Sequence, residues 1–221
     1  MISTCPNRFA HGVDALVIKT GDGYLVYVLD GTGSWGAGVE AAAWFRWWIS
    51  SESSSSVYSP AAVMKLLAAG LRVLPRDTSD DGFHWSFSLA VAICGSNSIQ
   101  IGASGSIAAV AMSAAGIDRL FTPRRLVDDL VTQGTIAPDE AETHKYRRMI
   151  CGPFFGQDNI AELEWSREVA WSDCDRVVLG DAALPRFLDT HEFVFETAIQ
   201  LRDAVELFGG ASMPTVILNP P

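Results

Sequence analysis

Hydrophobic residues along this chain fall into short runs of alternating or continuous β-type character, separated by glycine-containing turns and by longer stretches with helical spacing. Asp14 to Thr20 and Tyr24 to Leu29 are β-rich and are joined by Gly21-Asp22-Gly23, which predicts a hairpin at the start of the fold. Val39 to Ile49 is helical in composition and runs into the polar stretch Ser50-Ser51-Glu52-Ser53-Ser54-Ser55-Ser56, which predicts a loop. Ser59 is then a good N-cap with Pro60 in the first turn, so a second helix is predicted to about Leu74. Trp85 to Cys94, Ser98 to Ala103 and Ile107 to Met112 predict a three-stranded meander turning at Gly95-Ser96-Asn97 and Ser104-Gly105. Helices are predicted over Arg124 to Gln133 and Pro138 to Arg148, the second with acids in its first turn. Strands return at Ile160 to Trp165, Arg176 to Leu179 and Thr215 to Leu218, with helices over Ala183 to Leu188 and Glu192 to Leu207, the latter closed by Gly209-Gly210. This order of elements argues for an α+β fold of antiparallel sheets with helices on their outer faces.

At 221 residues and 48% hydrophobic content the chain can bury one substantial core, so a single domain spanning 1–221 is expected. The formal net charge is −10 with no run rich in Lys and Arg, a field that repels nucleic acid and anionic membrane surfaces. No apolar run approaches the roughly 20 residues that span a bilayer, and no secretory leader pattern opens the chain; a cytoplasmic location is expected. Cys5, Cys94, Cys151 and Cys174 lack C-x-x-C spacing and read as reduced, structural thiols. His11, His84, His144 and His191 are scattered without ligand spacing and read as surface or packing residues. Trp44, Phe45, Trp47 and Trp48 crowd one helix, which reads as core packing over more than one face.

The most informative stretch is Val28-Leu29-Asp30-Gly31-Thr32-Gly33-Ser34-Trp35-Gly36. A buried-type strand there ends on a carboxylate and glycines follow at once. The sheet fixes the direction of such an Asp, and a following Gly lets its own carbonyl approach the same cation. Gly31 to Gly36 also fits G-x-G-x-x-G, but a dinucleotide fold then needs a second parallel strand ending in an acid about 20 residues on, where this chain has its serine loop. A plain Asp-Gly turn is the structural alternative. Trp35, inside the same turn, is read as shaping access to the site.

Taken in order, these segments resemble the bacterial members of the metal-dependent protein phosphatases, the type 2C serine/threonine phosphatases. Asp14 before its strand resembles the early acidic motif of that family, and Val28-Leu29-Asp30-Gly31-Thr32-Gly33 resembles its V-x-D-G-x-G signature. Ile101-Gly102-Ala103-Ser104-Gly105 resembles the V-G-D-S-R turn. Leu120 to Gly134, Pro138-Asp139-Glu140-Ala141 and His144 resemble the bacterial flap segment. Asp175 to Leu184 resembles the strand with S-D-G-L, and Pro214 to Leu218 the closing D-N-x-T-V-x-V strand. The resemblance covers almost the whole chain and implies two packed antiparallel sheets flanked by helices, with Mn²⁺ or Mg²⁺ held between the sheets at one edge.

It further implies hydrolysis of phosphoserine or phosphothreonine on a phosphoprotein by metal-activated water. Asp30 then takes the metal-bridging role with the Gly31 carbonyl beside it, and Asp181 a second carboxylate role. Asp14 either assists through water or is a solvated strand-start residue. Arg8 either binds substrate phosphate, one residue out of the family register, or is a free surface cation. Two acids of the family pattern are missing: Ala103 stands at one position, and Ser212 and Met213 at the other. Anionic oxygen ligands offset the lost hydration of a hard cation, so a weak or partial metal site is expected. Gly180-Asp181-Ala182 also departs from S-D-G. Asp158 or Asp173 are candidates to fill a vacant ligand position. An inactive pseudophosphatase that binds a phosphoprotein or a cognate protein kinase is the alternative function, and a dinucleotide-dependent oxidoreductase a distant third.

Overall fold

Alternation with a period of two builds the centre of the structure, a computed structural model that describes residues 2–5, 13–32, 37–52, 59–73, 86–147, 149–151, 155–156, 162–180, 182, 184–190 and 215–220. Strand β1 (Ile2–Cys5) is followed by the hairpin of β2 (Val13–Thr20) and β3 (Gly23–Thr32), whose register runs from Val13 opposite Asp30 to Thr20 opposite Gly23. Helices α1 (Ala37–Glu52) and α2 (Pro60–Val73) come next, then β4 (Ser86–Cys94), β5 (Ser98–Ser104), β6 (Ala108–Ser113) and β7 (Gly116–Phe121). The chain continues through α3 (Leu126–Thr132), the short strands β8 (Phe155–Gly156), β9 (Glu164–Trp165) and β10 (Val169–Ala170), then β11 (Arg176–Gly180), α4 (Leu184–Thr190) and β12 (Thr215–Leu218).

These strands form two sheets. One has the order β1-β12-β11-β6-β7; the other runs β10-β5-β4-β3-β2, with β8 paired to β4 and β9 to β5. All the pairings are antiparallel. In β3, Leu25, Tyr27 and Leu29 point to the helix side and pack with Ala41, Phe45 and Ile49 of α1 and Val63, Leu67 and Leu71 of α2. Val26 and Val28 point the other way, into a core shared by both sheets with Ala90, Ile101, Ala103, Val177, Leu179 and Val216. On the far face Leu184 and Leu188 of α4 cover Val110, Val178 and Ile217. The layers are therefore helix, sheet, sheet and helix, as the order of elements predicts.

Several expectations are corrected. The chain does not open with the hairpin: β1 comes first and pairs with β12 from the other end of the sequence. The meander breaks after β5, because Gly105, at φ +84, turns the chain out of one sheet and β6 enters the other beside β11. β7 replaces a segment with no strand prediction, its polar and largely exposed residues hiding the pattern. Helix α1 continues into the serine stretch because the hydroxyls of Ser50 and Ser51 donate back to the carbonyls of Arg46 and Trp48, at 2.8 Å each. Ser59 caps α2 as its sequence suggests, accepting from the Ala62 N–H at 3.3 Å.

The helix expected over Pro138 to Arg148 is instead a series of turns, most of them three residues long: Glu140 N–H to Ala137 O, Thr143 N–H to Glu140 O and Arg147 N–H to His144 O. They bring the chain back so that Leu126 N–H reaches Met149 O and Cys151 N–H reaches Arg124 O. The helix expected over Glu192 to Leu207 lies outside the described residues. Of the aromatic cluster on α1, Phe45 is fully buried and stacks with Trp48, whereas Trp47 is 64% exposed, so packing does not account for that one.

Candidate functional site

The same alternation that buries Val26 and Val28 sends Asp30 to the inter-sheet side, at the end of the row and half-buried. Asp30 does not end the strand, contrary to its reading from sequence. Because β4 extends alongside as far as Ser86, Asp30, Gly31 and Thr32 stay in the ladder opposite Ser88, Phe87 and Ser86. Ser88 has no exposed surface, and its Oγ lies 2.8 Å from Ser106 Oγ and 2.9 Å from the Ser106 N–H that it accepts. Ser106 in turn donates its hydroxyl to Asp30 Oδ2 at 2.7 Å. A hydroxyl chain thus runs from the floor of the sheet to the carboxylate.

Ser106 belongs to the turn that carries the chain between the sheets. Two residues later Ala108 pairs with Gly180, the last residue of β11, which also pairs with Thr215 at the start of β12. Topology therefore brings Asp30, the crossover, the end of β11 and the start of β12 to one end of the sandwich. Asp181 directly follows Gly180 but, with Arg8, Trp35, Asp158, Ser212 and Met213, lies outside the described residues. Asp14 sits on β2 opposite Leu29, and it is Val13 that shares a register row with Asp30.

Ala103 pairs with Ala90 and with Glu164, is fully buried and belongs to the apolar inter-sheet core. Its methyl offers no ligand. Asp173, a candidate stand-in acid, lies in the turn before β11, and Gly180 is at the far end of that strand, about 13 Å from Arg176 at a strand's rise, so Asp173 does not reach that end. His144 accepts from the Tyr146 N–H and stacks edge-on with that ring, a packing role as expected. Burial pushes the Cys94 thiol from 9.0 up to about 12, in keeping with a structural cysteine. Ser88 and Ser106 escape sequence reasoning, since neither lies in a motif; the signal is a polar Ser88 beside the apolar run Leu89 to Cys94.

The side-chain donors at this end that the structure describes are oxygen: the Asp30 carboxylate and the Ser106 hydroxyl. That set is hard and fits Mg²⁺ or Mn²⁺ in type. It is sparse in charge, since no three His, Cys, Asp or Glu come together among the described residues.

No protein-family profile matches the sequence, and neither does any curated protein. Solved structures do. The serine/threonine phosphatase Stp1 from Staphylococcus aureus superposes with a TM-score of 0.72 at 18% identity, over 99% of this chain and 93% of that one. A bacterial serine phosphatase gives a TM-score of 0.75 at 16% identity, over 100% of this chain and 97% of that one. This chain has the type 2C serine/threonine phosphatase fold. The catalytic domain of the phosphatase PstP, solved in complex with two manganese ions, matches with a TM-score of 0.63 at 16% identity, over 98% of this chain and 95% of that one. At such identities the likeness is one of fold; in this chain the fold carries a buried Ala103 and a Ser88–Ser106–Asp30 chain.

Proposed function

We propose that this chain is a metal-dependent serine/threonine phosphatase-like protein that works with a reduced ligand set. The observation that carries the reading is the Asp30 carboxylate, held by Ser106 at the inter-sheet end of a phosphatase fold. Asp30 and the Gly31 carbonyl would hold Mn²⁺ or Mg²⁺, with Asp181 as a second carboxylate and Asp14 assisting through water. When bound, such a cation lowers the pKa of its water and neutralises phosphate charge. Asp30 supplies the anionic charge, Ser106 fixes the plane of its carboxylate, and Arg8 is the proposed contact for the phosphate of a phosphoprotein. No described helix is long and apolar enough to cross a membrane, and the reading places the protein in the cytoplasm.

Hydrolysis of an aryl phosphate and of a phosphopeptide at millimolar Mn²⁺ tests this directly. Turnover in the wild type that is lost in Asp30→Ala supports it; equal rates in the two proteins contradict it. The buried Ala103 favours a second reading, a pseudophosphatase that binds a phosphoprotein or a cognate kinase without turning it over. No turnover, together with phosphopeptide binding that does not depend on metal, supports that alternative.

A further inference from the structure

We infer that Ser106 is a positioning residue for the Asp30 carboxylate and that Ser88 drives it, an inference that rests on the metal reading of Asp30. Counting protons fixes the direction of the chain. Ser106 has one hydroxyl proton, and an ionised carboxylate only accepts, so that proton lies on the 2.7 Å bond to Asp30 Oδ2. The 2.8 Å contact between the two serine oxygens then takes its proton from Ser88, and Ser88 Oγ is left to accept the Ser106 N–H at 2.9 Å. Each of the four polar groups has a defined role, and donation runs one way, from Ser88 through Ser106 to Asp30.

Ser88 has no exposed surface, so its bond is held inside the sheet. Hydrogen bonds in series polarise one another, and a hydroxyl that donates to a carboxylate is a strong, charge-assisted donor. Ser88 lies directly opposite Asp30 on the neighbouring strand, whereas Ser106 sits on the crossover to the other sheet. Ser88 therefore reaches the carboxylate only through Ser106, and Ser106 holds it from the turn that joins the sheets. Hydrogen bonds that orient a ligand are worth about 10- to 100-fold in metal affinity.

The test is Mn²⁺ calorimetry on the full chain for wild type, Ser106→Ala, Ser106→Thr and Ser88→Ala. Ser106→Ala is expected to weaken binding by about tenfold or more, Ser106→Thr to keep the wild-type affinity because it keeps the hydroxyl, and Ser88→Ala to fall between them. Binding by Ser106→Ala within about twofold of wild type overturns the inference. A metal-free cycle separates this from the metal reading. If Ser106 acts on Asp30, its removal shifts the urea midpoint far less in an Asp30→Ala background than in the wild type, and additive shifts overturn the inference. Absence of Asp30-dependent Mn²⁺ binding in the wild type, with the midpoint shifts still non-additive, contradicts the metal reading and supports the Ser106–Asp30 link.

Discussion

Gly70 sits where α2 crosses α1, and its replacement by Ala sets helix propensity against packing. Propensity alone favours Ala by about 1 kcal/mol in a helix interior. The structure reverses that sign. A Cβ at Gly70 would stand 2.6 Å from Phe45 Cε2 and from Trp48 Cε3 and Cζ3. Carbon atoms in optimal contact are about 3.5–4.0 Å apart, so both rings must retreat by about 1 Å. Phe45 has no exposed surface and has the Phe87 ring behind it at 5.0 Å, so it has little room to move. Overpacking of this kind costs about 1–3 kcal/mol. Two displaced rings put that cost in the upper part of the range, about 2–3 kcal/mol, and with the propensity gain of about 1 subtracted Gly70→Ala should destabilise by about 1–2 kcal/mol, which for a chain of this length lowers Tm by about 2–8 °C. Urea unfolding followed by tryptophan fluorescence reads the shift at constant slope. A midpoint that rises would refute the packing of α1 on α2 described here.

Ala103→Asp puts a carboxylate into the apolar core between the sheets, and an unpaired buried charge costs several kcal/mol, of order 3–5. The metal-free urea midpoint should fall sharply and millimolar Mn²⁺ should restore part of it; no metal effect on that variant counts against a cation beside this strand. Arg125 donates from Nε and Nη2 to the two oxygens of Asp128, at 2.9 and 2.6 Å, and from Nη1 to Glu142 at 3.2 Å, which ties α3 to the turns after it. Its acidic partners are nearly half exposed, so Arg125→Ala should cost only about 1 kcal/mol and show mainly as faster amide hydrogen exchange over 133–147; unchanged exchange there refutes the tie. Cys94 has its folded pKa raised by burial from 9.0 to about 12, so the folded state favours the neutral thiol. Its contribution to stability is complete well below pH 9 and is lost as pH rises from there toward about 12. The alkaline fall of the urea midpoint should be shallower in Cys94→Ala, and an identical slope would contradict the shift.

Sequence reasoning read the layers well because their cause is local. The β-rich run Tyr24 to Leu29 and the cap at Ser59-Pro60 act within a few residues, and both survive in the structure. It failed where a distant partner decides. Ile2–Cys5 becomes a strand only because Thr215–Leu218 lies beside it, and β6 leaves the meander because Arg176–Gly180 awaits it in the other sheet. Gly116–Phe121 is a strand held by pairing with β6, with too little burial to leave an apolar pattern. Acids near Pro138 suggested a helix entry, and Glu140 does accept the Ala137 N–H at 2.7 Å, but the cap starts turns that return to Arg124. Near the proposed site, the apolar strand that carries Asp30 was legible. Ser88 and Ser106 were not, since they lie 18 residues apart and meet only through the crossover.

The central claim is that Asp30 holds a divalent cation at the inter-sheet end of this fold. Calorimetric titration of Mn²⁺ into the wild type and Asp30→Ala tests it most directly. The account expects weak saturable binding in the wild type, at about one ion per chain, that Asp30→Ala abolishes. Equal binding by the two proteins, or none by the wild type at millimolar Mn²⁺, would contradict it.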